Sequence, residues 1–202
     1  MKKNFIYVVF LGLLAVFTLS LNSCGNQKAD SDDTEVTDDS NNDSDDARAE
    51  DEDYYVSKDG KFKVKFPGTP EVSSQMVPTD AGEIEMFTYI YEKSATEAYM
   101  VAYGDYPSSL IDGSDPKELL EASRDGALET SKIDGNEDLK VNGFPAIRTR
   151  AIDVEQNFYY IYEVILAKNR LYQVMIVRDG DYPSDSVVAD FIDDFVITMK
   201  KK

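Results

Sequence analysis

Residues 157–177, NFYYIYEVILAKNRLYQVMIV, constrain the fold more than any other stretch of the chain. Two apolar runs, rich in aromatic and β-branched residues, flank the polar Lys168-Asn169-Arg170, which is the pattern of two strands and a tight turn. Alternate residues of a strand face opposite sides. In the first run one set is Phe158, Tyr160, Tyr162, Val164 and Leu166, and the other is Tyr159, Ile161, Ile165 and Ala167. Both sets are largely apolar, so both faces of such a strand must be covered. The chain is therefore expected to build a sheet with material packed above and below it.

Other elements follow from periodicity. Phe62, Val64 and Phe66 alternate with Lys61, Lys63 and Lys65, the period of a half-buried strand. Asp59-Gly60 precedes it as a turn, and Pro67-Gly68 with Pro70 ends it. Glu83–Tyr91, Ala98–Tyr103 and Ala146–Val154 read as further strands, with Asn142-Gly143 a strong turn signal before the last. A helix is expected from Pro116, capped by Asp115, to about residue 128. A second is expected over 184–195, where Val188, Phe191, Ile192 and Phe195 form one apolar stripe. Val196–Thr198 follows as a short last strand. The order strands, helix, strands, helix predicts an α+β fold, an antiparallel sheet flanked by helices.

The first 53 residues have a different character. Lys2 and Lys3 precede a nearly continuous apolar run, Phe5–Leu19, which reads as a signal peptide over residues 1–23. Leu21-Asn22-Ser23-Cys24 resembles the lipobox of bacterial lipoproteins, and Cys24 is the chain's one cysteine. The resemblance implies recognition of Leu21, Asn22 and Ser23, cleavage before Cys24, and acylation of that cysteine with diacylglyceryl and amide-linked chains such as palmitate. Two or three chains hold a protein to a bilayer far more firmly than one, since each buried methylene contributes roughly 0.8 kcal/mol. Residues 24–53 then form an acidic tether. They hold 13 of the 39 acidic residues and one large apolar side chain, Val36, too little to offset chain entropy. QKADSDDTE also resembles the lysine-plus-acidic export signals of some surface lipoproteins. The expected address is the bacterial cell envelope, lipid-anchored at the outer membrane, its outer surface included. Residues 54–202 are the globular domain.

Composition excludes several chemistries. With no histidine, histidine-based triads and histidine-ligated metals are not available. A single cysteine rules out an internal disulfide. The net charge of −18 argues against nucleic acid as a partner. The acidic stretches at 112–115, 134–138 and 179–181 lack calcium-loop spacing and read as turns. No cofactor and no metal site is expected. Arg148 and Arg150, two apart on one strand, project from the same face and are candidate partner-binding residues, together with Tyr159 from a tyrosine-rich strand.

DGKFKVKFPGTPEV, AYMVAYGDYP, VNGFPAIRTR and NRLYQVMIV with FIDDFVI further on resemble bacterial PsbP/Mog-like domains. The resemblance rests on Phe66-Pro67-Gly68-Thr69-Pro70, Arg170-Leu171-Tyr172, and Phe191 with Phe195. It covers about residues 54–200 and implies an α/β/α sandwich around an antiparallel sheet. It implies a binding or assembly-assisting role and carries no catalytic residues. The functional expectation is a lipid-anchored envelope module that binds an envelope protein or other envelope component. The alternative is a histidine-free hydrolase using paired carboxylates. A deep cleft with converging carboxylates, one with a raised pKa, favours the enzyme; a shallow aromatic-edged patch favours the binder.

Overall fold

The structure is a computed structural model and describes residues 53–79 and 82–199. The signal segment, Leu21, Asn22, Ser23, the Cys24 lipidation site and the acidic tether up to residue 52 lie outside the described residues, as does the Lys200–Lys202 tail.

Seven strands make one antiparallel sheet: β3 (Glu71–Thr79), β4 (Gly82–Ser94), β5 (Glu97–Asp105), β6 (Lys132–Val141), β7 (Phe144–Asp153), β8 (Phe158–Ala167) and β9 (Arg170–Asp179). Their order is β3-β4-β5-β9-β8-β7-β6. The strands that are apolar on both sides, β8 and β9, lie at its middle and are buried almost throughout. A second antiparallel sheet joins β1 (Tyr55–Ser57), β2 (Phe62–Val64) and β10 (Val196–Ile197) in the order β1-β2-β10. The helices are α1 (Ser108–Ile111), α2 (Pro116–Ala127) and α3 (Asp185–Val188), the last continuing as a π-turn over Ala189–Asp193.

The seven-stranded sheet is covered on both sides, by different means. On one face Leu120, Ala127 and Leu128 pack against Met100, Ile147, Tyr160 and Tyr162. The start of α2 is built as its residues dictate: Pro116 opens it, and Asp115 accepts from the Lys117 amide at 2.8 Å. On the other face Phe62, Val64, Phe191, Phe195 and Ile197 pack against Tyr99, Val101, Ile161, Tyr172 and Ile176.

The expectation of an α+β fold, an antiparallel sheet flanked by helices as an α/β/α sandwich, is not met. The described residues are mostly strand, in two sheets packed face to face, a β-sandwich-like arrangement with α2 on the outer face of the larger sheet. The reason lies in residues 184–197. The apolar stripe there suggested a helix long enough to form a layer. The helix is there, but it runs only over Asp185–Asp193 and widens from α to π at Ala189. So short a piece leaves most of the face to β1, β2 and β10.

The residues behind the PsbP/Mog-like resemblance meet at the seam between the sheets. Arg170 grips both Asp105 carboxylate oxygens, at 2.7 and 2.6 Å, and donates to the Asp59 carbonyl at 2.6 Å. The Tyr172 hydroxyl donates to the Gly60 carbonyl at 2.6 Å. Both side chains thus hold the β1–β2 turn against the large sheet. Phe195 packs on Phe62 and Tyr172, and Phe191 on Phe66 and Tyr99, with centroids 5.0–5.6 Å apart. These motifs are architecture: they clamp the small sheet onto the large one.

Candidate interaction surface

Arg148 and Arg150 both project from β7 toward the side of the small sheet and α3, as their spacing requires. Their surroundings differ. Arg148 stands opposite Glu163 on β8. Its Nε donates to Glu163 Oε2 at 2.7 Å, and a terminal nitrogen donates to Asp193 Oδ1 at 2.6 Å. The Glu163 side chain is fully buried. Burial pushes its carboxyl above the usual range, and the Arg148 charge opposes that rise without cancelling it. The π-turn carries Asp193 to the other side of the guanidinium.

Arg150 makes no ion pair among the described residues. Its guanidinium lies over the Tyr182 ring, 3.9 Å from the centroid. Tyr182 in turn meets Tyr159 edge-on at 5.0 Å. The Tyr182 hydroxyl donates to Asp134 Oδ2 at 3.1 Å. Burial, with that hydrogen bond, raises the Tyr182 pKa. Asp134 is placed by a break in the β6–β7 register between Ile133 and Gly135, where an extra residue is aimed out of the ladder.

The structure therefore brings Arg150 and Tyr159 into one cluster through Tyr182, and sets Arg148 apart in a buried network. The sequence reading missed Tyr182, Asp134, Glu163 and Asp193. Tyr182 lies just after β9, where no period marks it. Glu163 carried a signal, since it is the one charged residue inside an otherwise apolar strand. Asp134 belongs to the acidic stretch 134–138, expected as a turn and found as part of strand β6.

Glu163 and Asp193 are two converging carboxylates, one with a raised pKa. Arg148 fills the space between them, so they form an ion-pair network and not an open acid–base pair. On the opposite face, a pocket under α1 and α2 is lined by Tyr106, Leu119, Ser123, Leu166 and Leu171. Its cavity volume is about 20 Å³, room for a water and far below the ~300 Å³ of a small-molecule site. Among the described residues no group of acidic or thiol side chains has the arrangement of a metal site, and no helix is long and apolar enough to cross a membrane.

A scan against protein-family models finds no match, and a search of curated proteins finds none either. Among solved structures, the chain is similar to cyanobacterial PsbP (CyanoP) from Synechocystis sp. PCC 6803. Identity is 11%, covering 71% of this chain and 91% of that one, with a TM-score of 0.49. It is also similar to a protein of unknown function from Pseudomonas aeruginosa, with 9% identity, 62% and 81% coverage, and a TM-score of 0.34. The first is a PsbP protein, the family that the sequence motifs resemble. At these TM-scores neither likeness carries an argument.

Proposed function

We propose that the chain is a lipid-anchored envelope protein whose domain binds another envelope component through the surface around Arg150, Tyr182 and Tyr159. One observation carries the reading. In a chain of net charge −18, an exposed arginine lies over a tyrosine ring and makes no ion pair with a carboxylate among the described residues. Contact with Tyr182 holds the guanidinium in place, and a planar anion such as a carboxylate would meet the donors that Tyr182 does not engage. Arginine and tyrosine are also the residue types enriched where binding energy concentrates.

The lipid on Cys24 and the acidic tether supply the other half of the mechanism. Confinement to a membrane raises the domain's effective concentration near membrane partners without any new contact. The acidic field selects against nucleic acid and toward a partner that offers its carboxylate from a less acidic surface.

The test is in-cell crosslinking of the acylated chain, with captured proteins identified by mass spectrometry, beside a Cys24→Ser chain. Recovery of one dominant envelope protein, reduced when Cys24 is replaced, supports the reading. A Cys24→Ser chain that fractionates fully with membranes sinks the anchor, and the lack of any captured component sinks the binder.

A further inference from the structure

The two edges of the seven-stranded sheet are chemically unlike. Strand β6 carries Lys132, Asp134, Glu137, Asp138 and Lys140, the charged pattern that keeps an edge from pairing with another chain. Strand β3 carries Glu71 and then no charge through Thr79. Six consecutive residues of β3 are exposed, and among the described residues it pairs with β4 alone. Val72 and Met76 are 53% and 56% exposed, both on the side of the small sheet.

Backbone polarity along β3 fixes which groups are free. Thr79 lies opposite Gly82 across a two-residue connection, the position of a hydrogen-bonded pair that closes a hairpin. Counting back by twos, Val77, Gln75 and Ser73 bond to β4. Val72, Ser74 and Met76 turn their N–H and C=O groups outward, and Pro78, which has no N–H, falls in the same outward set, where a proline is tolerated.

We propose that this edge pairs with the same edge of a second copy, antiparallel, about a two-fold axis at Ser74. A two-fold interface demands a self-complementary surface, and the β3 sequence supplies one. With Ser74 opposite Ser74, Val72 meets Met76 of the other copy, and Met76 meets Val72. All three pairs are of the outward set, so each exchanges two hydrogen bonds. The two exposed apolar side chains cover each other. Pro70 falls opposite Pro78, and since neither donates, the ladder closes at both ends. Charge favours the same choice. The domain is acidic, and this is the edge at which two copies meet without carboxylates facing one another. A single strand seam is small beside the roughly 1,200–2,000 Å² of a stable interface, so the dimer is reversible. The pairing is independent of the Arg150 surface, and its failure leaves that reading untouched.

The test uses the full chain with Cys24→Ser, so that an introduced thiol is the only one. In an antiparallel hydrogen-bonded pair the Cα atoms lie about 5.5 Å apart, within disulfide reach. Ser74→Cys is expected to give a disulfide-linked dimer on oxidation, and Ser73→Cys at least about tenfold less, because Ser73 lies opposite Gln75. Sedimentation over a concentration series is expected to show a monomer–dimer equilibrium. Met76→Lys or Val72→Lys should weaken it at least about tenfold with an unchanged circular dichroism spectrum. A chain that stays monomeric at every concentration overturns the proposal, even where the edge takes up a strand from another protein. Equal crosslinking from Ser73→Cys overturns the register.

Discussion

Arg148 Nε lies 2.7 Å from Glu163 Oε2, and it joins a half-buried cation to a carboxylate with no exposed surface. The other Glu163 oxygen, Oε1, is buried without a hydrogen-bond partner among the described residues. The pair is therefore asymmetric: removing Arg148 leaves the Glu163 carboxyl buried with neither its cation nor its hydrogen-bond donor. Arg148→Ala is expected to destabilise the fold by about 3–5 kcal/mol in denaturant unfolding. Replacing both residues, with Arg148→Met and Glu163→Leu, should cost far less. Equal losses from the single and the double replacement would contradict this account.

The raised pKa of Glu163 gives a pH dependence with a definite sign. Between its usual value of 4.5 and its higher folded value, the folded chain holds a proton that the unfolded chain has lost. Stability from this group therefore rises as pH falls through the folded value and levels off below the usual one. Asp105 has the opposite sign. Hydrogen bonds from Arg170 hold it below the usual aspartate range, so its contribution is lost as pH falls through that lower value. Subtracting a Glu163→Gln series from the parent series isolates the Glu163 slope. A difference that does not change between neutral pH and 4.5 would show that burial has not raised this group.

The clamp on the β1–β2 turn is separable from the ion-pair network. Tyr172→Phe deletes the 2.6 Å bond to the Gly60 carbonyl and leaves that oxygen with one partner fewer in a buried setting. The expected loss is about 1–3 kcal/mol by thermal or denaturant unfolding. Arg170→Lys keeps the charge but cannot hold two Asp105 oxygens and the Asp59 carbonyl at once, and proteolysis at residues 57–61 should become faster.

Two glycines make a paired test of packing. A Cβ on Gly60 would sit 2.6 Å from the Phe62 ring and from Ser57 Oγ, and Phe62 is fully buried. Gly60→Ala is expected to cost about 1–3 kcal/mol. A Cβ on Gly113 meets nothing within 4 Å, so Gly113→Ala should change stability by less than about 0.5 kcal/mol.

What the sequence disclosed follows burial. Strands β8 and β9 were legible because both of their faces are covered, and the Asn142-Gly143 turn because both residues adopt positive φ, at 48° and 77°. Strands β3 and β6 left no trace, since neither edge strand alternates apolar with polar residues. For the same reason the acidic run Asp134–Asp138 passed for a turn. The second sheet was hidden by length: three-residue strands and a two-residue strand carry too few periods to reveal their partners. At the candidate surface, spacing placed Arg148 and Arg150 on one side. It did not say that one would be neutralised inside the fold and the other left open, because that depends on Glu163, Asp193 and Tyr182, which other strands and turns deliver.

The most direct measurement places a photo-crosslinking residue at Tyr159 in the full acylated chain in cells, and at exposed Glu129 as a control on the opposite face. The account predicts one dominant adduct from position 159, none from 129, and a loss of about tenfold or more when Arg150→Ala is added. Equal adducts from both positions, or an adduct at 159 that is indifferent to Arg150, would contradict it.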